Sequence, residues 1–206
     1  MEIKLNYSDI PDIKGDLRKY ILEETDLLKN DNGIWLEFGV YSGRTINYIS
    51  KFTKNTVYGF DSFEGLPEYW RPNFEKGSIS AGGKLPKVED NVELIKGLFQ
   101  DTLPSFLDKQ EKKSISLVHI DSDLYSSCKY VLNQLKSYFK KDCIIIFDEL
   151  FNYPGYENGE LKALNEFNNE NKIKFEWIGM NGIPGKYYND GQHHENCAIK
   201  LTEIIE

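Results

Sequence analysis

The sequence lacks disulfide-type cysteine pairs, long apolar runs and basic clusters, and each absence excludes a class of protein. It has 3 cysteines, Cys128, Cys143 and Cys197, which share no metal-type spacing. They lie inside apolar patterns, so we expect buried free thiols in a reducing cytoplasm. No stretch approaches the roughly 20 apolar residues of a membrane span, and no N-terminal segment resembles a signal peptide. We therefore expect a cytoplasmic protein with no membrane partner.

Basic residues are outnumbered by acidic ones. The chain has 25 Lys and Arg against 33 Asp and Glu, a formal net charge of −8, and a pI of about 5.1. No basic stretch is dense enough for a nucleic-acid partner, so we expect none. Hydrophobic residues make up 40% and aromatics 14%, which excludes a disordered chain. The length predicts a single domain over residues 1–206.

Apolar runs alternate with segments of helical periodicity, which predicts an α/β fold with a doubly wound, mostly parallel sheet. The predicted strands cover residues 34–38, 56–60, 92–96, 115–120, 143–147, 175–178 and 197–201. The predicted helices cover residues 45–52, 102–107, 124–139 and 160–168, after an N-terminal helical segment over residues 1–32. In that segment Leu17, Tyr20, Ile21, Leu27 and Leu28 fall near helical spacing. Pro104 is expected near the first turn of its helix.

The segment 62–90 has no clear periodicity. It contains Pro67, Pro72 and Pro86 together with Trp70 and Phe74. A loop of this length in a compact domain is usually functional or mobile, and its aromatic residues can pack. We predict a lid over the site, and a disordered insertion is the alternative.

A glycine turn follows the first predicted strand, with the spacing Glu37-x-Gly39-x-x-x-Gly43. The pattern is neither the Gly-x-Gly-x-x-Gly of dinucleotide sites nor a P-loop. The two glycines would let a ligand approach the backbone, and amides at the start of the next helix would face its negative charge. Asp61 ends the next apolar run, where nucleotide-binding α/β folds hold a ribose hydroxyl. Taken alone, the pattern is equally typical of an ordinary turn.

Four acids follow two later apolar runs, namely Asp121 and Asp123 after one, and Asp148 and Glu149 after the other. The ends of parallel strands share one edge of the sheet, so we expect these carboxylates to lie together. Like charges that close repel unless they share a proton or hold a cation. An all-oxygen site suits Mg²⁺. In the alternative, Asp121 or Asp123 caps a helix and Asp148 faces solvent.

The three histidines are poorer candidates. His119 lies within a predicted strand, so we expect a core residue or a partner of a ligand rather than a ligand. His193 and His194 lie in a Gly/Asn-rich loop before the last strand. Whether a general base is Asp123 or a histidine stays open.

Four segments carry a resemblance to known enzymes. WLEFGVYSG (residues 35–43) resembles the first motif of class I S-adenosylmethionine (SAM)-dependent methyltransferases. YGFDSFEGLP (58–67), GLFQDTLP (97–104) and HIDSDLY (119–125) are similar, in this order, to the macrocin O-methyltransferase (TylF-like) family. The resemblance covers about residues 33–170. It implies a Rossmann-like class I methyltransferase fold with an antiparallel C-terminal strand.

The resemblance also implies roles for individual residues. The implied cofactor-binding residues are Glu37, Gly39, Tyr41, Gly43, Arg44, Asp61, Ser62, Phe63, Gln100, Asp101 and Asp121. Asp61 would hold the ribose hydroxyls, and Gln100 and Asp101 would border the adenine. Mg²⁺ would lie on Asp121, Asp148 and Glu149, and Asp123 would be the general base.

We therefore expect a Mg²⁺-assisted, SAM-dependent O-methyltransferase that acts on a hydroxyl of a sugar or sugar-containing small molecule. Some relatives have a histidine where this chain has Leu124, which favours Asp123 as the base. The region before Glu37 is short compared with antibiotic-tailoring members, so the acceptor can differ from a macrolide sugar. A metal-independent methyltransferase and an inactive SAM- or S-adenosylhomocysteine-binding module are the alternatives. A homodimer is compatible with the sequence, although no segment marks an interface.

Overall fold

One sheet forms the centre of the computed structural model, which describes residues 6–28, 32–110 and 113–203. Its 7 strands are β1 (Ile34–Phe38), β2 (Val57–Asp61), β3 (Val92–Lys96), β4 (Ile115–Ile120), β5 (Phe139–Phe147), β6 (Lys174–Met180) and β7 (Cys197–Glu203). Their order is β3-β2-β1-β4-β5-β7-β6. Strand β7 is antiparallel to both of its neighbours, whereas the pairs from β3 to β5 are parallel. The predicted mostly parallel sheet with an antiparallel C-terminal strand is confirmed.

Strands β1 and β4 are buried at every position, and β5 is buried from Cys143 to Phe147. Parallel strands covered by helices on both faces have this near-continuous apolar pattern. Alternate side chains enter different cores: Leu36 and Phe38 of β1 pack into one, whereas Trp35 packs into the other. The sheet therefore lies between two apolar layers.

Helices supply both layers. They are α1 (Leu17–Lys19), α2 (Arg44–Ile49), α3 (Phe99–Asp108), α4 (Tyr125–Leu135) and α5 (Glu160–Asn171). Apolar residues of α3, α4 and α5 pack in the larger core, and those of α1 and α2 pack in the smaller one. All three cysteines are free and buried, as predicted. None of the helices in the described ranges is long and apolar enough to cross a lipid bilayer.

The N-terminal helix is much shorter than predicted. Helix α1 continues only into a π-helical turn, Tyr20–Glu24, and Thr25 has an extended backbone. The Thr25 hydroxyl donates to the Ile21 carbonyl at 2.7 Å and so takes the place of the next helical N–H. Leu27 and Leu28 lie beyond the helix, although they still pack against the smaller core. Residues 1–5 and 29–31 of the predicted segment lie outside the described residues.

Helix α3 begins before the predicted residue 102. It starts at Phe99, so Gln100 and Asp101 belong to its first turn rather than to a loop, and Pro104 lies in its interior. Leu98 is the N-cap residue and makes no side-chain capping bond. The usual start signal, a Ser, Thr, Asp or Asn cap, is therefore missing from the sequence. Helix α4 likewise ends at Leu135, and Phe139 already belongs to β5.

Strand β1 lies between β2 and β4 in the sheet. The strands that follow β1 in sequence, β2 and β3, lie on one side of it, and the later strands lie on the other. In open α/β sheets such a switch point leaves a crevice beyond the carboxyl ends of the strands. Residues that follow β1, β2, β4 and β5 are therefore the ones positioned to form a site.

Candidate active site

A cavity of about 340 Å³ opens at this switch point. Six of the residues implied as cofactor-binding line it: Gly39, Tyr41, Asp61, Ser62, Gln100 and Asp121. Asp123, implied as the general base, also lines it. The volume of the cavity falls within the roughly 300–1,000 Å³ typical of small-molecule sites. The carboxyl ends of β1, β2 and β4 thus meet around one space.

The 62–90 loop forms one wall of the cavity through Gly65, Leu66, Pro67, Glu68 and Ile79. The loop carries its own hydrogen bonds. Leu66 donates to the Ser78 carbonyl at 2.9 Å, and Gly77 donates to the Leu66 carbonyl at 2.8 Å. These bonds fold the loop onto itself beside the cavity.

Arg71 attaches the 62–90 loop to the rest of the protein. Its guanidinium lies 3.8 Å from the ring centre of Trp70 and 5.0 Å from that of Tyr153. It also donates to Glu195 at 2.9 Å. The carbonyl of Glu195 accepts hydrogen bonds from the amides of Leu150 and Phe151. Arg71 therefore joins the loop to the segments that follow β5 and precede β7.

Asp61 binds the glycine turn directly. One carboxylate oxygen accepts hydrogen bonds from the amides of Val40 at 2.8 Å and Tyr41 at 2.7 Å, and the other accepts from Phe63 at 2.7 Å. These two amides precede α2, and the protein's own carboxylate occupies them; that the amides at the start of α2 face an anionic ligand stays a prediction. A carboxylate offers about four lone-pair sites, so Asp61 keeps room for one further donor.

The two glycines of the turn face the protein itself. Gly39 has φ of +92°, and a Cβ placed there would lie 1.7 Å from the Asp121 carbonyl oxygen. Gly43 has φ of +78°, and a Cβ there would lie 3.2 Å from the Pro86 side chain. The structure gives each glycine a packing role as well: Gly39 admits the chain after β4, and Gly43 admits the end of the 62–90 loop. That they let a ligand approach stays a prediction. Gly43 does not line the cavity.

Glu37 is completely buried and does not reach the cavity. Its Oε1 lies 2.9 Å from His119 Nδ1, and the other ring nitrogen of His119 lies 3.5 Å from Asp148 Oδ1. Arg18 donates to the same Asp148 oxygen at 3.1 Å. Glu37, His119, Asp148 and Arg18 therefore form a buried row of acids and bases in alternation that supports Asp148. The implied cofactor contact of Glu37 stays a prediction.

Three other implied cofactor residues lie away from the cavity. Phe63 is buried in the smaller core. Arg44 begins α2 and lines a separate surface depression with Asp16 and Arg18. Asp101 is exposed on the first turn of α3. For Phe63 and Asp101 the preceding residue, Ser62 or Gln100, lines the cavity instead.

The four predicted acids do meet. Carboxylate oxygens of Asp121, Asp123 and Glu149 lie within 4.8 Å of one another, and one atom each of Asp148, Glu149 and His193 lies within the same limit. Asp123, Asp148 and Glu149 are buried. The alternative in which Asp148 faces solvent is therefore wrong.

The four acids differ in their protonation. Burial, reinforced by Asp148, raises the pKa of Asp121 and of Glu149. Burial raises the pKa of Asp123 to about 7 although Arg71 opposes the shift. Burial also acts against charge on Asp148, but His119 and Arg18 outweigh it and lower its pKa. Asp148 thus stays ionised near neutral pH, while its neighbours hold protons unless a cation replaces them.

His119 owes its state to its neighbours. Burial alone would remove its charge, but Asp148 and Glu37 on either side raise its pKa to about 10. The imidazolium therefore supports Asp148 and has no lone pair for a metal ion. That His119 is not a ligand stays a prediction.

Several residues of the site carry no local sequence signal. Glu160 begins α5, is completely buried, and accepts a bond from the Ser122 hydroxyl at 3.4 Å. Arg18 reaches Asp148 across 130 positions, and Arg71 reaches Glu195 across 124. The one available hint is composition, since buried acids require nearby cations and only 3 of the 25 basic residues are arginines.

The sheet order, the antiparallel β7 and the cavity beyond β1, β2 and β4 define a class I methyltransferase fold. The sequence model of a methyltransferase domain family matches residues 36–150, which is more than half of the chain. The chain belongs to this family. The narrower TylF-like resemblance stays a prediction. A comparison with curated proteins gives no match.

Solved structures share the fold at low sequence identity. The calicheamicin methyltransferase CalS11, described in a second structure as a TDP-rhamnose 3'-O-methyltransferase, is 22% identical with a TM-score of 0.65, covering 89% of this chain and 77% of that one. The O-methyltransferase NovP is 19% identical with a TM-score of 0.62, covering 90% and 78%. TomG from Streptomyces achromogenes, solved with SAM, is 14% identical with a TM-score of 0.55, covering 90% and 80%.

Proposed function

We propose that this protein is a SAM-dependent O-methyltransferase that uses a divalent ion, Mg²⁺ in the first instance, and methylates a hydroxyl of a sugar-like small molecule. One observation carries the proposal. Asp121 and Asp123 line the cavity, and both also belong to the acid cluster with Glu149. A methyl donor in the cavity and a hydroxyl at the acids would therefore be neighbours.

The cavity suits a nucleoside with a charged tail. Three apolar side chains border it and are partly exposed: Tyr41 at 48%, Ile79 at 37% and Leu98 at 43%. Grouped apolar side chains that are exposed to solvent usually mark a binding surface. Polar groups stand between them, including the Asp61 carboxylate and the Gln100 amide. Apolar walls with a few placed polar groups are typical of cofactor sites. This supports SAM as the ligand, with Asp61 near its ribose.

The acid cluster suits a hard cation. We assign the ion to Asp121, Asp148 and Glu149, whose donors are all oxygens. Glu149 Oε2 is buried and has no hydrogen-bond partner among the residues that the structure describes. An unpartnered buried carboxylate oxygen requires a proton or a cation. When bound, the ion supplies a Lewis acid that lowers the pKa of an acceptor hydroxyl.

The protein's part in the reaction is alignment and proton removal. Methyl transfer forms a C–O bond as the C–S bond of the sulfonium breaks, and the hydroxyl proton passes to an Asp123 oxygen. With a pKa of about 7, Asp123 is matched to this task near neutral pH. The 62–90 loop would act as a lid that excludes water and fixes the in-line geometry.

The sugar-like acceptor is supported by the description of CalS11 as a TDP-rhamnose 3'-O-methyltransferase. Two vicinal hydroxyls could bind the ion at the acid cluster together, so the cluster would determine which oxygen reacts. Glu68 of the 62–90 loop also lines the cavity and accepts a bond from Ser126 at 2.6 Å. We assign this end of the cavity to the acceptor.

A metal-independent methyltransferase is the second candidate, and one observation favours it. Arg18 and His119 already compensate the charge of Asp148, and the raised pKa values of Asp121 and Glu149 let these groups stay neutral. The cluster can therefore exist without an ion. In that case Asp123 acts alone.

Thermal melting with SAM, with Mg²⁺, with both and with a chelator tests the proposal. A ligand at about 100 times its Kd adds roughly 2.7 kcal/mol to the free energy of unfolding. We expect a rise with SAM and a further rise with Mg²⁺ that the chelator abolishes. A rise with SAM alone, together with turnover in chelator, selects the metal-independent enzyme. No rise at saturating SAM, checked by calorimetry, contradicts the methyltransferase proposal.

A further inference from the structure

The loop between β6 and β7 places His193 beside the acid cluster. The carbonyl of Glu195 accepts from the amides of Leu150 at 2.8 Å and Phe151 at 3.1 Å. The Asn152 side chain donates to the His194 carbonyl at 2.8 Å. These bonds attach the backbone around His193 to the segment that directly follows Asp148 and Glu149. The backbone that carries His193 is therefore held near the acids by several contacts.

His193 Nε2 lies 3.9 Å from Asp148 Oδ2 and 3.9 Å from Glu149 Oε1. These distances are too long for hydrogen bonds. Two ligands of one octahedral ion with bonds near 2.1 Å lie about 3 Å apart when adjacent and about 4.2 Å apart when opposite. Both measured distances fall between these two values, and one ligand atom each of His193, Asp148 and Glu149 lies within 4.8 Å of the others, so the three groups can surround one ion.

The carboxylate oxygens on this side remain available. Arg18 and His119 both approach Asp148 through Oδ1, whereas Oδ2 lies on the side of His193. The side chain of Glu149 is only 8% exposed, and its Oε2 has no hydrogen-bond partner in the part of the chain that the structure describes. By contrast, the side chain of His193 is 40% exposed, so an ion can enter past it.

Asn196 is positioned to set the tautomer of His193. Its Nδ2 lies 3.5 Å from His193 Nδ1, and its Oδ1 is buried without a partner among the described residues. A half-turn of the amide would bring Oδ1 to Nδ1, which could then donate its proton. This leaves the Nε2 lone pair free for a metal ion, the usual arrangement of a metal-binding histidine.

We propose that His193 is a nitrogen ligand of the divalent ion held by Asp148 and Glu149, so that the site favours a transition ion such as Mn²⁺ or Co²⁺ over Mg²⁺. Imidazole suits transition ions, whereas Mg²⁺ prefers oxygen donors. This inference rests on the divalent-ion site of the proposed function. It adds a ligand and a metal preference to that site.

Pulsed EPR of bound Mn²⁺ tests the inference without turnover. Recorded on the full chain without SAM, the spin-echo modulation of the wild type should show ¹⁴N coupling from a directly bound imidazole. His193→Ala and His193→Gln should lose this coupling, and the matched control His194→Ala should keep it. Wild-type Mn²⁺ without nitrogen coupling, or coupling that survives in both His193 variants, overturns the inference and leaves an oxygen-only site.

Metal competition gives a second readout. We expect His193→Ala to bind Mn²⁺ roughly tenfold more weakly, with a change in Mg²⁺ affinity below about threefold. An equal loss for both ions overturns the stated preference. If the wild type binds neither ion, this inference and the metal-assisted form of the proposed function both fail. SAM-induced stabilisation, measured separately in chelator, still reports on the methyltransferase itself.

Discussion

Asp123 is the residue on which the proposed chemistry depends most. It has φ of +62°, an unusual value for a residue other than glycine, and its side chain is buried at the floor of the cavity. Strained, buried positions of this kind are maintained only when the surroundings enforce them. Here the surroundings also raise its pKa to about 7. A base with that pKa is about half ionised at neutral pH, and its ionised form accepts a proton readily.

Replacing Asp123 should separate binding from turnover. We expect Asp123→Asn to lower kcat by roughly 10²–10⁴, the usual contribution of a general base, and to change the Kd of SAM by less than about threefold. The wild-type kcat should rise with pH up to about 7 and then level, because the ionised carboxylate is the active form. The variant should lose this dependence.

Initial rates across pH 5.5–9 and titration calorimetry with SAM measure both effects. The matched control is Asp108→Asn, an exposed acid at the end of α3. A variant of Asp123 that keeps more than a tenth of the wild-type kcat would exclude it as the base.

At this scale the sequence predicted the acids but not their partners. Asp121, Asp123, Asp148 and Glu149 each follow an apolar run, and the end of a buried strand is a local signal. Arg18 and Arg71 lie far along the chain from the groups they contact, so periodicity and spacing contain nothing about them. The family resemblance implies a cofactor contact for Glu37, whereas the structure places Glu37 in the buried row with His119.

The 62–90 loop is the element that closes the site. It lacks regular structure, yet Arg71 fixes it through aromatic rings and through Glu195. A guanidinium that stacks on an aromatic ring and pairs with a carboxylate contributes about 1–2 kcal/mol. Arg71 is therefore one contact between the loop and the rest of the protein that a single substitution can remove.

Arg71→Ala should release the loop. We expect amide hydrogen exchange at Leu66 and Gly77 to become roughly 5–30 times faster, because 1–2 kcal/mol of local stability is lost. Arg71→Lys should give an intermediate effect, since lysine keeps the charge but not the planar stacking. Lys76→Ala, an exposed change within the same loop, is the control. Unchanged exchange in Arg71→Ala would show that other contacts hold the loop.

Elements were predictable to different degrees. Buried parallel strands appear as short apolar runs with β-branched residues, so β1, β3 and β4 were located correctly. Helix α3 was placed too late because Leu98 offers no capping side chain. The N-terminal helix was drawn too long because Leu27 and Leu28 continue its periodicity, although Thr25 ends the helix. Apolar spacing reports which residues pack, and it does not report where backbone hydrogen bonding stops.

The molecule as a whole collects its buried acids at one edge of the sheet. Asp121, Asp123, Glu149 and Glu160 all have raised pKa values because of burial. The folded state therefore binds more protons than the unfolded state above their ordinary pKa near 4, and its stability falls as pH rises. The pKa of His119 is raised to about 10, and this changes stability in the same direction, because the stabilisation is lost from about pH 6.5 upward. The lowered pKa of Asp148 has the opposite effect: its stabilisation is lost as pH falls below the ordinary pKa of an aspartate, so it does not affect stability near neutral pH.

We therefore expect the chelator-treated protein to melt at a lower temperature at pH 8 than at pH 6. A loss of at least about 1 kcal/mol corresponds to roughly 2–4 °C for a domain of this size. Saturating Mg²⁺ or Mn²⁺ should reduce the difference, because the ion replaces the protons among the acids. Calorimetric melting at the two pH values, with and without ion, makes the comparison. A melting temperature equal or higher at pH 8 in chelator contradicts the assignment of raised pKa values.

Glu195 has a consequence for changing the acceptor by loop exchange. Glu195 lies two positions after His193. Its carboxylate pairs with Arg71 of the 62–90 loop, and its backbone carbonyl accepts hydrogen bonds from the chain after β5. If a 62–90 loop from a relative replaced this one, it would lack the residue that pairs with it unless the residues around Glu195 were replaced as well. The two segments form one exchangeable cassette, although more than a hundred residues of sequence separate them.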